Sequence, residues 1–327
     1  MSRTVTIFGG SGFAGRYISR RLAQLGWRVR VAVRRPNEAL FVRTFGTVGQ
    51  VEPVLANIRD EASSLAVIKG ADAVVNCVGI LQETRRQKFD TVHDEAAARI
   101  ARLATESGVK HLVHLSAIGA DIESDSHYAR SKARGDASVM AEFPGAVVLR
   151  PSLLFGPEDN FFNRFATLAK FSLVLPVVGG ETRFQPVYVD DVARAAVAGV
   201  SGGAAPGIYE LGGPSVHSFR DLLRLMLEIT RRRRAIVNLP FAIARVDAWL
   251  LDLGFAMTGG LFVNKILTRD QVRQLGHDNV VGKDARGLDE LGITAMPMDA
   301  ILESYLYCHR PSGQYTAIKE SARGLRG

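Results

Sequence analysis

Cysteine is scarce. The chain has two, Cys77 and Cys308, in 327 residues. Two cannot build a disulfide framework, which excludes the small stapled secreted scaffolds and points to a reducing compartment. Long apolar runs are missing as well: no stretch reaches the ~18 uncharged apolar residues that read as a bilayer span. The first strand begins at Thr4, which leaves no room ahead of it for a signal or transit peptide. Internal repeats and low-complexity tracts are absent, which excludes solenoids and disordered linkers. So are zinc-finger and RNA-binding signatures. The formal charge of +8 therefore reads as a dispersed basic surface, and no nucleic-acid partner is expected. His111, His114 and His127 do not share metal-ligand spacing, so no metal is expected either. What is left is a globular composition, 47% hydrophobic and 23% charged, long enough for one large domain or two smaller ones.

The first half alternates short apolar strands with helical patterns. "TVTIFG", "RVRVAVRR", "GQVEPVLANI", "DAVVNCVG", "VKHLVHLSAIG" and "GAVVLRPSLLFG" read as strands. Between them "GRYISRRLAQLG", "EASSLAVIKG", "TVHDEAAARIARLATESG" and "HYARSKARGDASVMAEF" read as helices. This order predicts a Rossmann-type, doubly wound parallel sheet with helices on both faces. After Gly156 the rhythm loosens. "NRFATLAKF", "DDVARAAVAGV" and "SFRDLLRLMLEIT" are helical, "FQPVYV" and "GIYELGG" are strand-like, and Gly/Pro-rich loops separate them. The expected organisation is a dinucleotide-binding domain over 1–155 and a smaller C-terminal α+β region over 156–327. Some segments of the second return to the first, and the final segment is an extended tail.

Between strand one and helix one, Gly9, Gly12 and Gly15 form G-x-x-G-x-x-G, with Gly10, Ser11 and Phe13 interspersed. Gly9 permits the tight turn, Gly12 lets the backbone approach a pyrophosphate, and Gly15 lets the helix lie close to the sheet. The helix N-terminus then offers free N–H groups and a positive dipole end to the anion. A glycine-rich turn without a ligand is the alternative; the position at the head of an alternating α/β chain favours the dinucleotide. Strand two ends in "VAVRRP", with Arg34 and Arg35 and no acid. A carboxylate there would bind the ribose 2′-hydroxyl of NAD, whereas guanidinium pairs with a 2′-phosphate. One charged hydrogen bond contributes about 1.5–3 kcal/mol, roughly 10- to 150-fold. NADPH is thus expected over NADH, with Arg16 joining the same phosphate site.

The turn "GGSGFAG", the strand-four sequence "NCVG", the pair Tyr128…Lys132, "LRPSLLFGP" and "PVYVDDVARA" together resemble the extended, atypical branch of the short-chain dehydrogenase/reductase superfamily. That resemblance implies that Asn57 and Ile58, after strand three, meet the adenine. The usual residue there is Asp, and an amide oxygen can still accept from the adenine amino group. It further implies that Cys77 and Gly79 border the cofactor, Cys77 itself reading as packed in the strand. Tyr128 would exchange a proton with the substrate oxygen, favoured as phenolate by the Lys132 ammonium one helical turn away. Lys132 would also hold the nicotinamide ribose, and Ser116 would donate to the substrate oxygen. Tyr315 and Lys319 repeat the Y-x-x-x-K spacing in the tail, so position rather than spacing favours Tyr128. "HLSAIGAD" departs from the serine-rich, longer loop of members that act on nucleotide sugars. A purely structural role for the three residues stays open. Asp190 and Asp191 open a helix and read as caps.

"LTRDQVRQLGHDNVV", with "GGSGFAGRYI" and "ANIRDEAS", makes the whole chain similar to the nucleotide-binding accessory subunit family of respiratory complex I and its bacterial relatives. The resemblance implies an NADPH-holding structural subunit without turnover, peripheral on the cytoplasmic side of the inner membrane. Its partners would be complex I subunits and an anionic lipid surface. The run Arg231–Arg234 ahead of the apolar stretch from Phe241 to Leu253 fits such docking, or the roof of a substrate pocket. Two alternatives remain: a soluble, cytoplasmic NADPH-dependent reductase, dehydratase or epimerase using Ser116, Tyr128 and Lys132, and a sensor of the NADPH/NADP⁺ ratio.

Overall fold

A computed structural model of the chain describes residues 3–240 and 268–311. Its first half runs β1 (Thr4–Phe8), α1 (Phe13–Gln24), β2 (Arg28–Val33), β3 (Val51–Leu55), α2 (Glu61–Ile68), β4 (Ala73–Asn76), α3 (Ala96–Glu106), β5 (His111–Leu115), α4 (His127–Glu142) and β6 (Val147–Pro151). Then follow β7 (Leu154–Phe155), α5 (Phe162–Phe171), β8 (Val174–Val178), β9 (Arg183–Phe184), β10 (Val187–Tyr188), α6 (Val189–Val200), β11 (Gly207–Leu211), β12 (His217–Ser218), α7 (Phe219–Ile229), β13 (Ala235–Leu239), α8 (Arg269–Gln274) and α9 (Met298–Leu306).

Seven strands make one parallel sheet in the order β3-β2-β1-β4-β5-β6-β11. Order reverses between β1 and β4, the switch point at whose carboxyl ends such sheets bind ligands. The strands are apolar on both sides because both faces are covered. Val5 and Ile7 of β1 join Ile18 and Leu22 of α1 and Val192 and Ala196 of α6 in one buried cluster. Phe8 points the other way, into a cluster with Ile68, Ile100, Leu103 and Val139 from α2, α3 and α4. Each fully buried aliphatic side chain there contributes about 1.5–3 kcal/mol. α1 stops where its apolar spacing does: Gly26 takes φ +82°, and the Gly26 and Trp27 N–H groups return to the Ala23 and Leu22 carbonyls.

A third cluster packs Phe155, Phe162 of α5, Leu222, Leu223 and Met226 of α7, and Leu302 and Leu306 of α9. Here β8 and β13 pair in parallel. Pro176 inside β8 argues against a strand when the sequence is read alone; the pairing with β13 overrides it. β11, distant in sequence, closes the edge of the main sheet beside β6. Asp190 and Asp191 do not cap α6. Asp190 binds Arg21 of α1 through two nitrogens, and Asp191 accepts from the Met296 N–H at 2.7 Å. Both acids tie elements together across the fold instead.

In the basic run, Arg232 Nε donates to the His309 carbonyl at 3.0 Å and Arg234 Nε to that of Ala169 at 2.9 Å. Part of that charge is therefore anchored within the molecule. The apolar stretch Phe241–Leu253 and the tail pair Tyr315–Lys319 lie outside the described residues. Among the described residues no helix is long and apolar enough to cross a membrane.

Candidate functional site

β1 delivers the chain into the glycine turn at the switch point. Gly9 has φ +74°, a conformation L side chains rarely adopt, and its N–H donates to the Ala32 carbonyl at 3.0 Å. A Cβ on Gly9 would press on the backbone of Cys77 at 3.3 Å; one on Gly15 would run into the Gly9 carbonyl and lie 2.7 Å from Gly10 Cα. Glycine at 15 thus lets α1 rest on the turn itself. Ser19 Oγ donates to the Gly10 carbonyl at 3.2 Å and fixes the loop from below. Gly12 occupies the cap position of α1, no side chain caps the helix, and its first turn has no acid. Nothing there competes with a phosphate for the N–H groups, so these residues fit the diphosphate of a dinucleotide. Phe13 packs edge-on against Tyr17. Arg16 reaches back to the Ser11 carbonyl at 3.3 Å, lies over the Phe41 ring and comes within 3.4 Å of Glu158.

Arg34 and Arg35 are both exposed at the end of β2, but they differ. Arg35 is paired with Glu38 at 2.9 Å. Arg34 has no ion-pair or hydrogen-bond partner among the described residues, so its guanidinium stays open to an anionic group. After β3, Asn57 Oδ1 accepts the Arg59 N–H at 3.2 Å and the Ile58 carbonyl accepts Arg99 at 2.8 Å. Burial pushes the Cys77 thiol up to about 12, so it stays protonated and unreactive.

On the other side of the switch point, α4 carries Tyr128, Lys132 and Asp136 at successive turns of one face. Gly135 lets that helix press on the π-helical turn Asp90–Glu95, because a Cβ there would collide with the His93 carbonyl. Tyr128 is half-buried, its ring 5.3 Å from that of His93 and 5.7 Å from that of Phe89. Ile80 N–H donates to His93 Nε2 at 3.0 Å, so the proton sits on Nδ1 and goes to Ser131 Oγ at 2.9 Å. Lys132 is buried, with Nζ donating to the Leu115 carbonyl at 3.2 Å. A Cβ at Gly79 would sit 3.4 Å from that Nζ, so the end of β4 and the lysine share one wall. Ser116 is buried, its Oγ makes no well-formed hydrogen bond among the described residues, and it lies close enough to Asp136 to favour that carboxylate.

The electrostatics depart from the expected phenolate. Burial, with the Asp136 and Asp270 carboxylates adding to it, pushes Tyr128 up to about 12. Lys132 is itself brought down to about 8, chiefly by burial. Desolvation outweighs the attraction expected from the ammonium. Beneath the pair lies a buried polar chain that sequence reasoning misses: Arg150 Nε to Asp136 Oδ2 at 2.8 Å, Asp136 Oδ1 to His114 Nε2 at 3.6 Å, and His114 Nδ1 to Asn76 at 3.2 Å. Asp270 of α8 is missed too. Its carboxylate accepts Ser126 Oγ and the N–H groups of His127 and Tyr128 at 2.7–3.1 Å, and so holds the start of α4. No local signal ties residues so far apart in the chain.

Tyr128 lines a cavity of about 1590 Å³ between the start of α4, α5, β8 and α8. Phe161, Phe165, Phe184 and Phe219 form one wall, with ring centroids 5.3–5.9 Å apart.

Residues 5–212 match the model of the NAD dependent epimerase/dehydratase family. The chain is similar to the mitochondrial NADH dehydrogenase [ubiquinone] 1 alpha subcomplex subunit 9 of Arabidopsis thaliana, 33% identical over 94% of this chain and 78% of that protein. It is also 31% identical to a ceramide reductase of Caulobacter vibrioides, over 75% of this chain and 78% of that one. Among solved structures, MoeE5 in complex with UDP-glucose and NAD superimposes with a TM-score of 0.69 at 16% identity, over 98% of this chain and 99% of the other. This last likeness is one of fold.

Proposed function

The chain belongs to the NAD dependent epimerase/dehydratase family, and from that premise we propose that it is an NADPH-binding accessory subunit of respiratory complex I. It sits peripherally on the cytoplasmic side of the inner membrane, against complex I subunits and an anionic lipid surface. The observation that carries the assignment is similarity to a complex I subunit over 94% of the chain. The fold is an NAD(P)-binding one, and the uncapped glycine cradle with Arg34, unpaired among the described residues, at the end of β2 supports NADPH as the resident nucleotide. A tightly held nucleotide stabilises the fold by mass action, about 2.7 kcal/mol when present at 100 times its Kd. Affinity purification from solubilised membranes, with mass spectrometry of partners and retained nucleotide, tests this. The protein should appear with complex I; its recovery entirely as a free species would remove the assignment.

A second reading, an NADPH-dependent reductase, is favoured by the cavity that Tyr128 lines, and by the relative named as a ceramide reductase. When bound, the nicotinamide would supply hydride. Ser116 would donate a hydrogen bond to the substrate oxygen, Tyr128 would pass it a proton, and Lys132 would hold the ribose. Tyr128→Phe should then abolish NADPH-linked carbonyl reduction while leaving nucleotide affinity unchanged. Absence of turnover with every carbonyl substrate tried would count against it.

A further inference from the structure

The cavity beside Tyr128 is larger than a typical small-molecule pocket and has an aromatic wall. Small-molecule pockets run to roughly 300–1,000 Å³; this one is about 1590 Å³. Its walls come from the four phenylalanines named above, with Leu168, Phe171 and Leu275 extending them. Leu168 and Phe171 are 39% and 86% exposed, so the apolar wall continues to the molecular surface. Carboxylates predominate among the charged lining residues, one of them, Asp278, paired with Arg183 at 2.7 Å. Asp121, Glu123 and Asp125, from the loop before α4, and Asp278, after α8, contribute four carboxylates against one lining arginine, Arg164. His277 lies 3.2 Å from Asp125. Arg183 holds the Asp278 carboxyl below the usual carboxylate range, and so charged.

This combination sorts ligands by charge. A nucleotide sugar, such as the UDP-glucose held by the fold neighbour MoeE5, brings two phosphates that would face these carboxylates, and like charges in close apposition cost affinity. A fatty acid anion meets the same field. A neutral molecule with long alkyl chains meets none of it and gains from the aromatic wall.

We propose that this cavity binds a neutral lipid, its alkyl chain along the phenylalanine wall and a carbonyl or hydroxyl group at Tyr128. The proposal deepens the second reading by naming the ligand class of the same cavity. It requires neither turnover nor a bound nucleotide, and a subunit without activity would hold the same lipid.

The test is equilibrium dialysis of the full chain with its nucleotide retained, away from complex I, against radiolabelled 2-octanone, 2-decanone and 2-dodecanone. Dodecanoate and UDP-glucose serve as the anionic comparisons. At ~0.8 kcal/mol per buried methylene, each added pair should tighten binding roughly 10-fold, about 100-fold from the first ketone to the third. Dodecanoate should bind at least about 10-fold more weakly than 2-dodecanone. The double substitution Leu168→Asp/Phe171→Asp, placed at exposed positions so that the fold is kept, should weaken 2-dodecanone about 10-fold or more and leave NADPH affinity unchanged. Affinity that does not rise with chain length, or UDP-glucose or dodecanoate binding as tightly as 2-dodecanone, overturns the proposal. Because neither complex I nor turnover enters the measurement, its failure is distinct from failure of either functional assignment.

Discussion

Arg34→Ala is the sharpest single probe of the nucleotide site. The two arginines at the end of β2 look equivalent in sequence, yet Arg35 is committed to Glu38 at 2.9 Å while Arg34 is unpaired among the described residues. A charged hydrogen bond contributes about 1.5–3 kcal/mol, and because Arg34 is exposed the lower end applies, about 1.5 kcal/mol or roughly 10-fold. Arg34→Ala should therefore weaken NADPH about 10-fold and leave NADH unchanged. Arg35→Ala should cost less than about 3-fold, since Glu38 already offsets its charge. Glu38→Gln removes a like charge from the neighbourhood of the phosphate and releases Arg35. Two unit charges 4 Å apart in water interact by about 1 kcal/mol, so it should tighten NADPH roughly 2- to 5-fold. The assay is titration of nicotinamide fluorescence with both nucleotides at low ionic strength, repeated at high salt, where the differences should shrink. An NADPH/NADH ratio unchanged in Arg34→Ala and in the double arginine variant would refute the assignment. A larger loss from Arg35→Ala than from Arg34→Ala would refute the division of labour.

Three further outcomes follow from the geometry. Gly15→Ala places a methyl group against the Gly9 carbonyl; lifting α1 off the turn should cost about 1–3 kcal/mol in urea unfolding and abolish measurable nucleotide binding. Asp270→Ala removes the acceptor for the first N–H groups of α4 and should cost about 1–2 kcal/mol. It also removes one of the charges raising Tyr128, so tyrosinate titration by ultraviolet absorbance should move down from about 12. His93 and His114 are held down to about 2 and 3, mainly by burial, so between pH 3 and 6.5 the unfolded chain binds protons that the folded chain does not. Their contribution is complete above the unfolded value of 6.5 and is lost as pH falls toward the folded values. Against wild type, His114→Asn should flatten the dependence of unfolding free energy on pH by about 1.4 kcal/mol per pH unit between pH 4 and 6; an unchanged slope would contradict the buried neutral histidine.

The parallel sheet, the glycine turn and the Tyr128–Lys132 pair on one helix are legible in the sequence because each is set by local periodicity. Alternating strands and helices leave one sheet type open, a glycine at Gly9 marks a left-handed backbone, and a spacing of four puts two side chains on one face. Strand β8 escapes such reading because Pro176 disguises it, and Asp190 and Asp191 look like caps because a cap is the nearest local use for an acid. The tertiary structure alone decided the rest. It brought β11 to the sheet edge, set Asp270 under the start of α4, occupied Arg35 with Glu38, and walled Tyr128 with phenylalanines from α5 and α7. It also reversed the expected charge preference of Tyr128, since desolvation depends on what the whole chain stacks around a group, whereas spacing along a helix reports only the neighbours one turn away.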